Sequence, residues 1–140
     1  MELSILWPLF LLVGWTFCVL VLIPIARFAA AVRGKVGQQD FKLSESSKVP
    51  DWVILPNRNY MNLLELPVLF YVLCLLLLLT HQQTEGMVYA AWGYVFLRIL
   101  HSLIHLTFNH VILRMVVFAS SNLLLLSMWI VTGVRLLAIM

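Results

Sequence analysis

Four long apolar segments, separated by short polar connections, form the dominant pattern of this chain. No Lys, Arg, Asp or Glu occurs in 3–26, 66–80 or 115–134, and the stretch 86–106 is interrupted only by Arg98, His101 and His105. Because about 20 apolar residues suffice to cross the hydrocarbon core, each segment with its flanks can span a bilayer. The pattern predicts four transmembrane helices at residues 4–33, 58–80, 85–109 and 112–138, with a polar loop at 34–57. The expected fold is a single all-α domain over 1–140, an integral membrane four-helix bundle whose short turns favour antiparallel neighbours.

Composition supports a membrane protein. The chain is 63% hydrophobic and 11% charged, whereas soluble domains carry about 25% charged residues. Glu2 stands where a signal peptide has basic residues, and the first apolar run exceeds the ~7–15 residues of a signal-peptide core. Cys18 and Cys74 lie within apolar helices, where we expect small buried side chains and no disulfide framework. No nucleic-acid motif is present.

Basic residues are concentrated between the first two predicted helices. Because cytoplasmic loops are enriched in Lys and Arg, the 1–2 loop is expected in the cytoplasm. With four helices, the 3–4 loop then lies on the same side and both termini lie opposite. Six of the nine Lys and Arg residues make this bias: Arg27, Arg33, Lys35, Lys42, Lys48 and Arg58.

Two helical faces carry polar residues inside the apolar pattern. Each set covers an arc of about 60° on its helix. A charge at the bilayer centre costs about 2.5–3.5 kcal/mol on insertion scales, so stacked polar residues indicate a shared internal site. The sets are Arg58, Asn62 and Glu65 on the second helix, and Arg98, His101 and His105 on the third.

Glu65 and Arg98 are expected to lie at similar depth. From a rise of about 1.5 Å per residue, they sit ~13 and ~16 Å from the same side of the bundle. Their opposite charges on adjacent helices predict a buried ion pair. Its role is either to fix the register of the bundle or to take part in a site.

The remaining polar residues predict a cationic cleft near the cytoplasmic mouth, formed by Arg58, Asn62, His101, His105 and Arg114. Arginine binds carboxylates through a rigid fork of donors, which suits a small zwitterionic or anionic ligand. Glu65 and Pro67 follow on the same predicted helix. The carboxylate is suited to receive a ligand ammonium, and the proline removes a helical hydrogen bond and favours a kink that widens the cleft.

The two histidines of the predicted cleft are also possible metal ligands. His101 and His105 are spaced i, i+4, with Glu65 as a third ligand. However, no Cys or Asp completes the set and the neighbouring arginines would repel a cation. We therefore expect no metal.

The motif around these residues resembles that of a known family. Arg58, Asn62 and Glu65 match the Arg-x-x-x-Asn-x-x-Glu signature of the MAPEG superfamily, the membrane-associated proteins in eicosanoid and glutathione metabolism that include microsomal glutathione transferases. The stretch from Arg98 through His101 to Arg114 resembles the second signature. The resemblance spans nearly the whole chain.

The resemblance implies a homotrimer that binds glutathione between subunits, on the cytosolic side. Arg114 matches the arginine that stabilises the glutathione thiolate, and would be the catalytic residue. The implied glutathione-binding residues are Arg33, by a loose alignment, together with Arg58, Asn62, Glu65, His101 and His105.

The implied activity is that of a membrane glutathione-dependent transferase or peroxidase acting on lipophilic electrophiles or hydroperoxides. Its partners would be glutathione as co-substrate, membrane lipids, a lipophilic small molecule and further copies of the chain. The family also contains a non-enzymatic lipid-binding member, so a non-catalytic lipid- or fatty-acid-binding protein is the alternative. Four positions differ from better-known members: Met61 replaces an arginine, His105 a tyrosine, and Met115 and Phe118 a serine and a tyrosine beside the thiol.

Overall fold

Helices joined by short turns and loops make up the fold over the residues described by the computed structural model, which are 4–42 and 45–138. No strand occurs among them. Four helical segments are long and apolar enough to cross a membrane: Leu6–Val32, Asp51–Leu79, Glu85–Leu106 and Val111–Ala138. We call them spans 1 to 4. The helices are α1 (Leu6–Val32), α2 (Asp51–Leu64), α3 (Pro67–Leu79), α4 (Glu85–Leu106) and α5 (Val111–Ala138), with a short 3₁₀ turn at Gln38–Phe41.

Span 2 differs from the single helix expected at 58–80. It consists of α2 and α3, separated at Glu65 and Leu66. Pro67 has no N–H to donate to the carbonyl of Leu63, one turn earlier, and instead begins the new helix. The proline therefore breaks the helix where the sequence predicted a kink.

The expected loop at 34–57 is also shorter than predicted, because α2 begins at Asp51. Pro50 precedes it with extended backbone, and Asp51 places a carboxylate in the first turn, where it complements the helix dipole. Val49 and Val53 pack on Ala30 near the end of α1. The segment before α2 is thus anchored on span 1.

α4 is the central helix and packs against α1, α2 and α5. Its buried residues include Tyr94, which stacks on Phe70 of α3 with ring centroids 4.6 Å apart. Large apolar side chains such as Phe17 and Phe96 lie exposed on the outside, as expected for a surface in lipid. Cys74 is buried, but Cys18 is exposed, so the expectation of burial was wrong for Cys18.

A buried polar cluster joins three helices near the C-terminal end of α4. The Ser102 hydroxyl accepts hydrogen bonds from Trp15 Nε1 of α1 at 2.9 Å and from Asn59 Nδ2 of α2 at 2.5 Å. Ser102 and Asn59 are fully buried. The cluster fixes α1 and α2 against α4 one residue from His101.

Candidate functional site

A cleft of about 420 Å³ opens between α2, α4 and α5. Two of its walls carry polar residues and the third is mixed. The structure brings five of the predicted site residues together there and leaves Arg33 and Glu65 outside the lining. The cleft is lined by Arg58 and Asn62 of α2, His101 and His105 of α4, and Val111, Arg114, Met115 and Phe118 of α5.

Arg114 is held in place by the turn that joins α4 to α5. Its Nη1 donates to Asn109 Oδ1 at 2.6 Å and lies 2.7 Å from His105 Nδ1. Asn109 adopts a left-handed conformation with φ of 46°, which asparagine tolerates better than most residues. The rest of the guanidinium remains free to meet a ligand in the cleft.

His101 is oriented by the main chain of Arg114. Its Nδ1 lies 3.2 Å from the Arg114 carbonyl oxygen, and its ring lies 5.3 Å from the Phe118 ring. The side chains of His101 and His105 are each only 4% exposed. The Nε2 atoms of both have no hydrogen-bond partner within the described part of the chain.

Arg98 lies at the base of this region, fully buried. Its Nη2 donates to the Asn62 carbonyl at 2.6 Å, and its guanidinium lies 5.2 Å from the centre of the Phe118 ring. Its Nε and Nη1 have no partner among the residues described. Phe118 therefore separates the buried guanidinium from the cleft.

The expected Glu65–Arg98 ion pair is not formed as a direct contact within one chain. Glu65 follows the last residue of α2, its backbone leaves the helical conformation, and its side chain is exposed. The depth argument assumed a continuous helix through Glu65. The break at Pro67 removes that assumption, and Arg98 bonds to the carbonyl of Asn62 instead.

Arg33 also lies apart from the cleft lining. It caps the end of α1 and its guanidinium lies 5.6 Å from the centre of the Trp52 ring. Arg27 nearby forms an ion pair of 3.6 Å with Glu45. These contacts tie span 1 to the first turn of α2 and to the segment before it.

An apolar groove of about 410 Å³ lies further along α5. Phe118 in the cleft and Asn122 and Trp129 in the groove recur at helical spacing, so both cavities follow one face of α5. Asn122 Oδ1 and Trp129 Nε1 are buried without partners among the described residues. The groove is lined by Leu66, Leu69, Asn122, Leu125, Leu126 and Trp129.

In the comparison with protein families, the model of the MAPEG family matches residues 5–134. The chain belongs to the MAPEG family. No curated protein and no solved structure matches it. Membership places the chain among membrane-associated proteins of eicosanoid and glutathione metabolism, in agreement with its four apolar spans.

The MAPEG positions that differ in this chain fall in two places. Met115 and Phe118 line the cleft, so the hydroxyl groups that some members have there are replaced by apolar surface. Met61 is half exposed and outside the cleft lining. His105 keeps a polar ring at the tyrosine position and uses it to contact Arg114.

Within 4–42 and 45–138, no three side chains of His, Cys, Asp or Glu are grouped closely enough to hold an ion. Glu65, the third ligand considered from the sequence, is outside the cleft lining.

Sequence reasoning missed Asn109, Ser102 and their contacts. Asn109 shows a recognisable signal, because an asparagine in a short turn between two helices can adopt a left-handed conformation. Ser102 had no comparable signal. Its importance depends on Trp15 and Asn59, which are distant in sequence and meet only in the folded chain.

Proposed function

We propose that the chain is a membrane-bound glutathione-dependent enzyme. It joins the glutathione sulfur to lipophilic electrophiles or uses glutathione to reduce hydroperoxides. The observation that carries the proposal is the joint placement of Arg58, Asn62, His101, His105 and Arg114 in one cleft. Glutathione carries two carboxylates and one ammonium at neutral pH, so its net charge complements two arginines. Family membership adds independent support.

Arg114 is proposed to stabilise the thiolate. An ordinary thiol has a pKa of about 8.5, and an adjacent cation lowers it to about 7.5 or below. Arg114 is suited to this task because Asn109 and His105 hold one of its nitrogens and limit its motion. A thiolate placed beside Arg114 can then attack an electrophile that arrives through the bilayer.

The apolar groove along α5 provides the second substrate with a route. It adjoins the end of the cleft at Phe118 and is lined almost entirely by leucine and tryptophan. A lipophilic molecule in the groove would present its reactive group to the cleft, while its apolar body stays away from water.

The site is proposed to be completed by homotrimer formation. Glu65 is exposed in the single chain and lies within span 2, at the break between α2 and α3. In lipid, a carboxylate at such a position needs protein or an aqueous cleft around it. A neighbouring subunit would meet this need and bring Glu65 towards the ammonium group of glutathione. A detergent-corrected mass equal to one 16.1 kDa chain would contradict this.

The decisive experiment measures thiolate formation in the purified protein in detergent. Glutathione added at neutral pH should give thiolate absorbance in the ultraviolet, and Arg114→Ala should reduce it roughly tenfold for each pKa unit that the arginine contributes. Arg135→Ala is the matched control, because Arg135 lies on the same helix, exposed and outside the cleft lining. Wild-type protein that binds no glutathione would refute the proposal.

The second candidate is a non-catalytic protein that binds lipids or fatty acids. Met115 and Phe118 favour it, because they give the cleft an apolar side next to the apolar groove. In that case a fluorescent fatty acid should bind and be displaced by unlabelled fatty acid, while glutathione has no effect on thermal stability. Glutathione protection of the wild type would argue against this candidate.

A further inference from the structure

The cleft lacks the groups that usually move protons beside a thiol. Among the described residues that line it, none is a serine, threonine, tyrosine, cysteine, aspartate or glutamate. Arginine stays protonated in proteins, and the Asn62 amide does not ionise at neutral pH. Only His101 and His105 can accept or release a proton there.

The main chain fixes which nitrogen of His101 carries hydrogen. A carbonyl oxygen only accepts, so the contact with the Arg114 carbonyl at 3.2 Å requires His101 to carry hydrogen on Nδ1. In its neutral form, His101 then has an unprotonated Nε2. His105 Nδ1 lies 2.7 Å from Arg114 Nη1, a donor, and 3.0 Å from Asn109 Oδ1, an acceptor, so its contacts fix neither tautomer.

His101 Nε2 is therefore the imidazole nitrogen beside the cleft whose role as an acceptor is fixed by the main chain. It is buried, it lacks a partner among the described residues, and its side chain lines the cavity. An acceptor in such a position is satisfied only when a donor enters the cleft. The thiol of glutathione is a donor of this kind.

We propose that His101 Nε2 is the proton-transfer group of the proposed peroxidase reaction, and this inference rests on the proposed function. The S–H bond of glutathione breaks, its proton moves to Nε2, and the sulfur keeps the electron pair beside Arg114. The thiolate attacks the distal oxygen of a lipid hydroperoxide; an S–O bond forms, and the O–O bond breaks with its electron pair on the proximal oxygen. His101 returns the proton to that oxygen and gives the alcohol.

The step is balanced without another reactant. The sulfur is oxidised by two electrons to a sulfenic acid, and the hydroperoxide is reduced by two electrons. A second glutathione then converts the sulfenic acid to the disulfide and water. His101 ends the cycle neutral, with its Nδ1 hydrogen still on the Arg114 carbonyl.

Positive groups surround His101 on three helices. Arg98 of α4, Arg114 of α5 and Arg58 of α2 are cations, and His105 lies on the same face of α4. These cations repel an imidazolium, and the negative charge of the thiolate beside it offsets that repulsion. Once the thiolate is consumed, the arginines drive the proton towards the new alkoxide.

The experiment compares two substrates that differ in their need for a proton. Cumene hydroperoxide releases an alkoxide, which must be protonated, whereas chlorodinitrobenzene releases chloride, which need not be. His101→Asn places an amide donor near the Arg114 carbonyl and removes Nε2. General acid catalysis is typically worth about 10²–10⁴-fold, so hydroperoxide reduction should fall by that factor. Conjugation should stay within a few-fold of wild type above the ordinary thiol pKa of about 8.5.

The matched control is His81→Asn. His81 lies in the turn between α3 and α4, exposed and with a positive φ that asparagine accepts. Both activities of this variant should equal those of wild type. A loss equal to that of His101→Asn would show that the substitution type is responsible, and would overturn the proposal.

Other outcomes separate this inference from the proposed function. Equal loss of both reactions at every pH would mean that His101 holds glutathione without moving a proton, which overturns the inference alone. Conjugation by wild type without hydroperoxide reduction would do the same, and absence of glutathione binding would overturn both. If His101→Asn does not fold, the solvent deuterium isotope effect of wild type decides: hydroperoxide reduction should be slowed in D₂O and conjugation at high pH should not. Equal effects on the two reactions would refute the role.

Discussion

Ser102→Ala is expected to destabilise the bundle more than other serine substitutions in the membrane-spanning helices. The hydroxyl accepts hydrogen bonds from Trp15 of α1 and Asn59 of α2, so its removal leaves two donors without their acceptor. Hydrogen bonds between membrane helices contribute about 0.6 kcal/mol on average and up to about 1.7 kcal/mol. Two such bonds at a fully buried position predict a loss of about 1–3 kcal/mol in the free energy of unfolding.

The measurement is equilibrium unfolding in mixed micelles with increasing sodium dodecyl sulfate, followed by circular dichroism. Ser120→Ala is the control, because Ser120 is exposed and its hydroxyl bonds only to the Val116 carbonyl of its own helix. Its effect should be within about 0.5 kcal/mol. Trp15→Phe added to Ser102→Ala should cost less than the sum of the two single losses, because the tryptophan donor is already stranded. A change for Ser102→Ala no larger than that for Ser120→Ala would refute the assigned role of this cluster.

Three further predictions concern the ends and connections of the helices. Thr84→Ala should lower the free energy of unfolding by about 1 kcal/mol, because the Thr84 hydroxyl accepts a hydrogen bond from the Met87 N–H at the start of α4. The same equilibrium unfolding experiment measures this change. The Gly37 N–H and the Ser46 hydroxyl hold the pKa of Asp40 below its usual value of 3.8, so the carboxylate stabilises the turn above that pH and the contribution is lost as pH falls through the lower folded pKa. The protection factor of the Gly37 amide, which corrects for the pH dependence of intrinsic exchange, should fall on acidification in wild type but not in Asp40→Asn. Lys42→Cys should not react with an impermeant thiol reagent in intact cells, because the excess of basic residues predicts that this loop is cytoplasmic. Labelling equal to that of a cysteine added at the C-terminus would show the opposite orientation.

The four spans and the cleft could be predicted from the sequence for a simple reason. Charge-free stretches of sufficient length have few alternatives to membrane helices, and helical geometry fixes which residues share a face. Arg58 and Asn62 meet His101 and His105 because each pair is spaced by four residues on helices that pack together. These inferences need no knowledge of side-chain conformation.

The contacts that depend on local backbone could not be predicted in this way. Pro67 predicted a distortion of the helix, but not whether the helix would kink or break. The break leaves Glu65 outside both helices with an exposed side chain, away from the expected pairing with Arg98. The start of α2 at Asp51 was hidden because the polar residues around it obscured the apolar period that marks a helix. Such features follow from interactions with the rest of the chain, as Val53 shows by packing against Ala30.

Arg114 belongs both to the cleft that helical spacing predicts and to the contacts that depend on local backbone, because its side chain and its main chain have separate functions. The side chain is held by Asn109 and His105, while the carbonyl sets the hydrogen of His101 on Nδ1. Both contacts depend on the turn between α4 and α5, where Asn109 adopts a left-handed conformation. A change in this turn would therefore move the proposed thiolate-stabilising group and the proposed base together. Met115 and Phe118 then become compatible with catalysis, because a hydroxyl beside the thiol is unnecessary where a fixed imidazole nitrogen can take its proton.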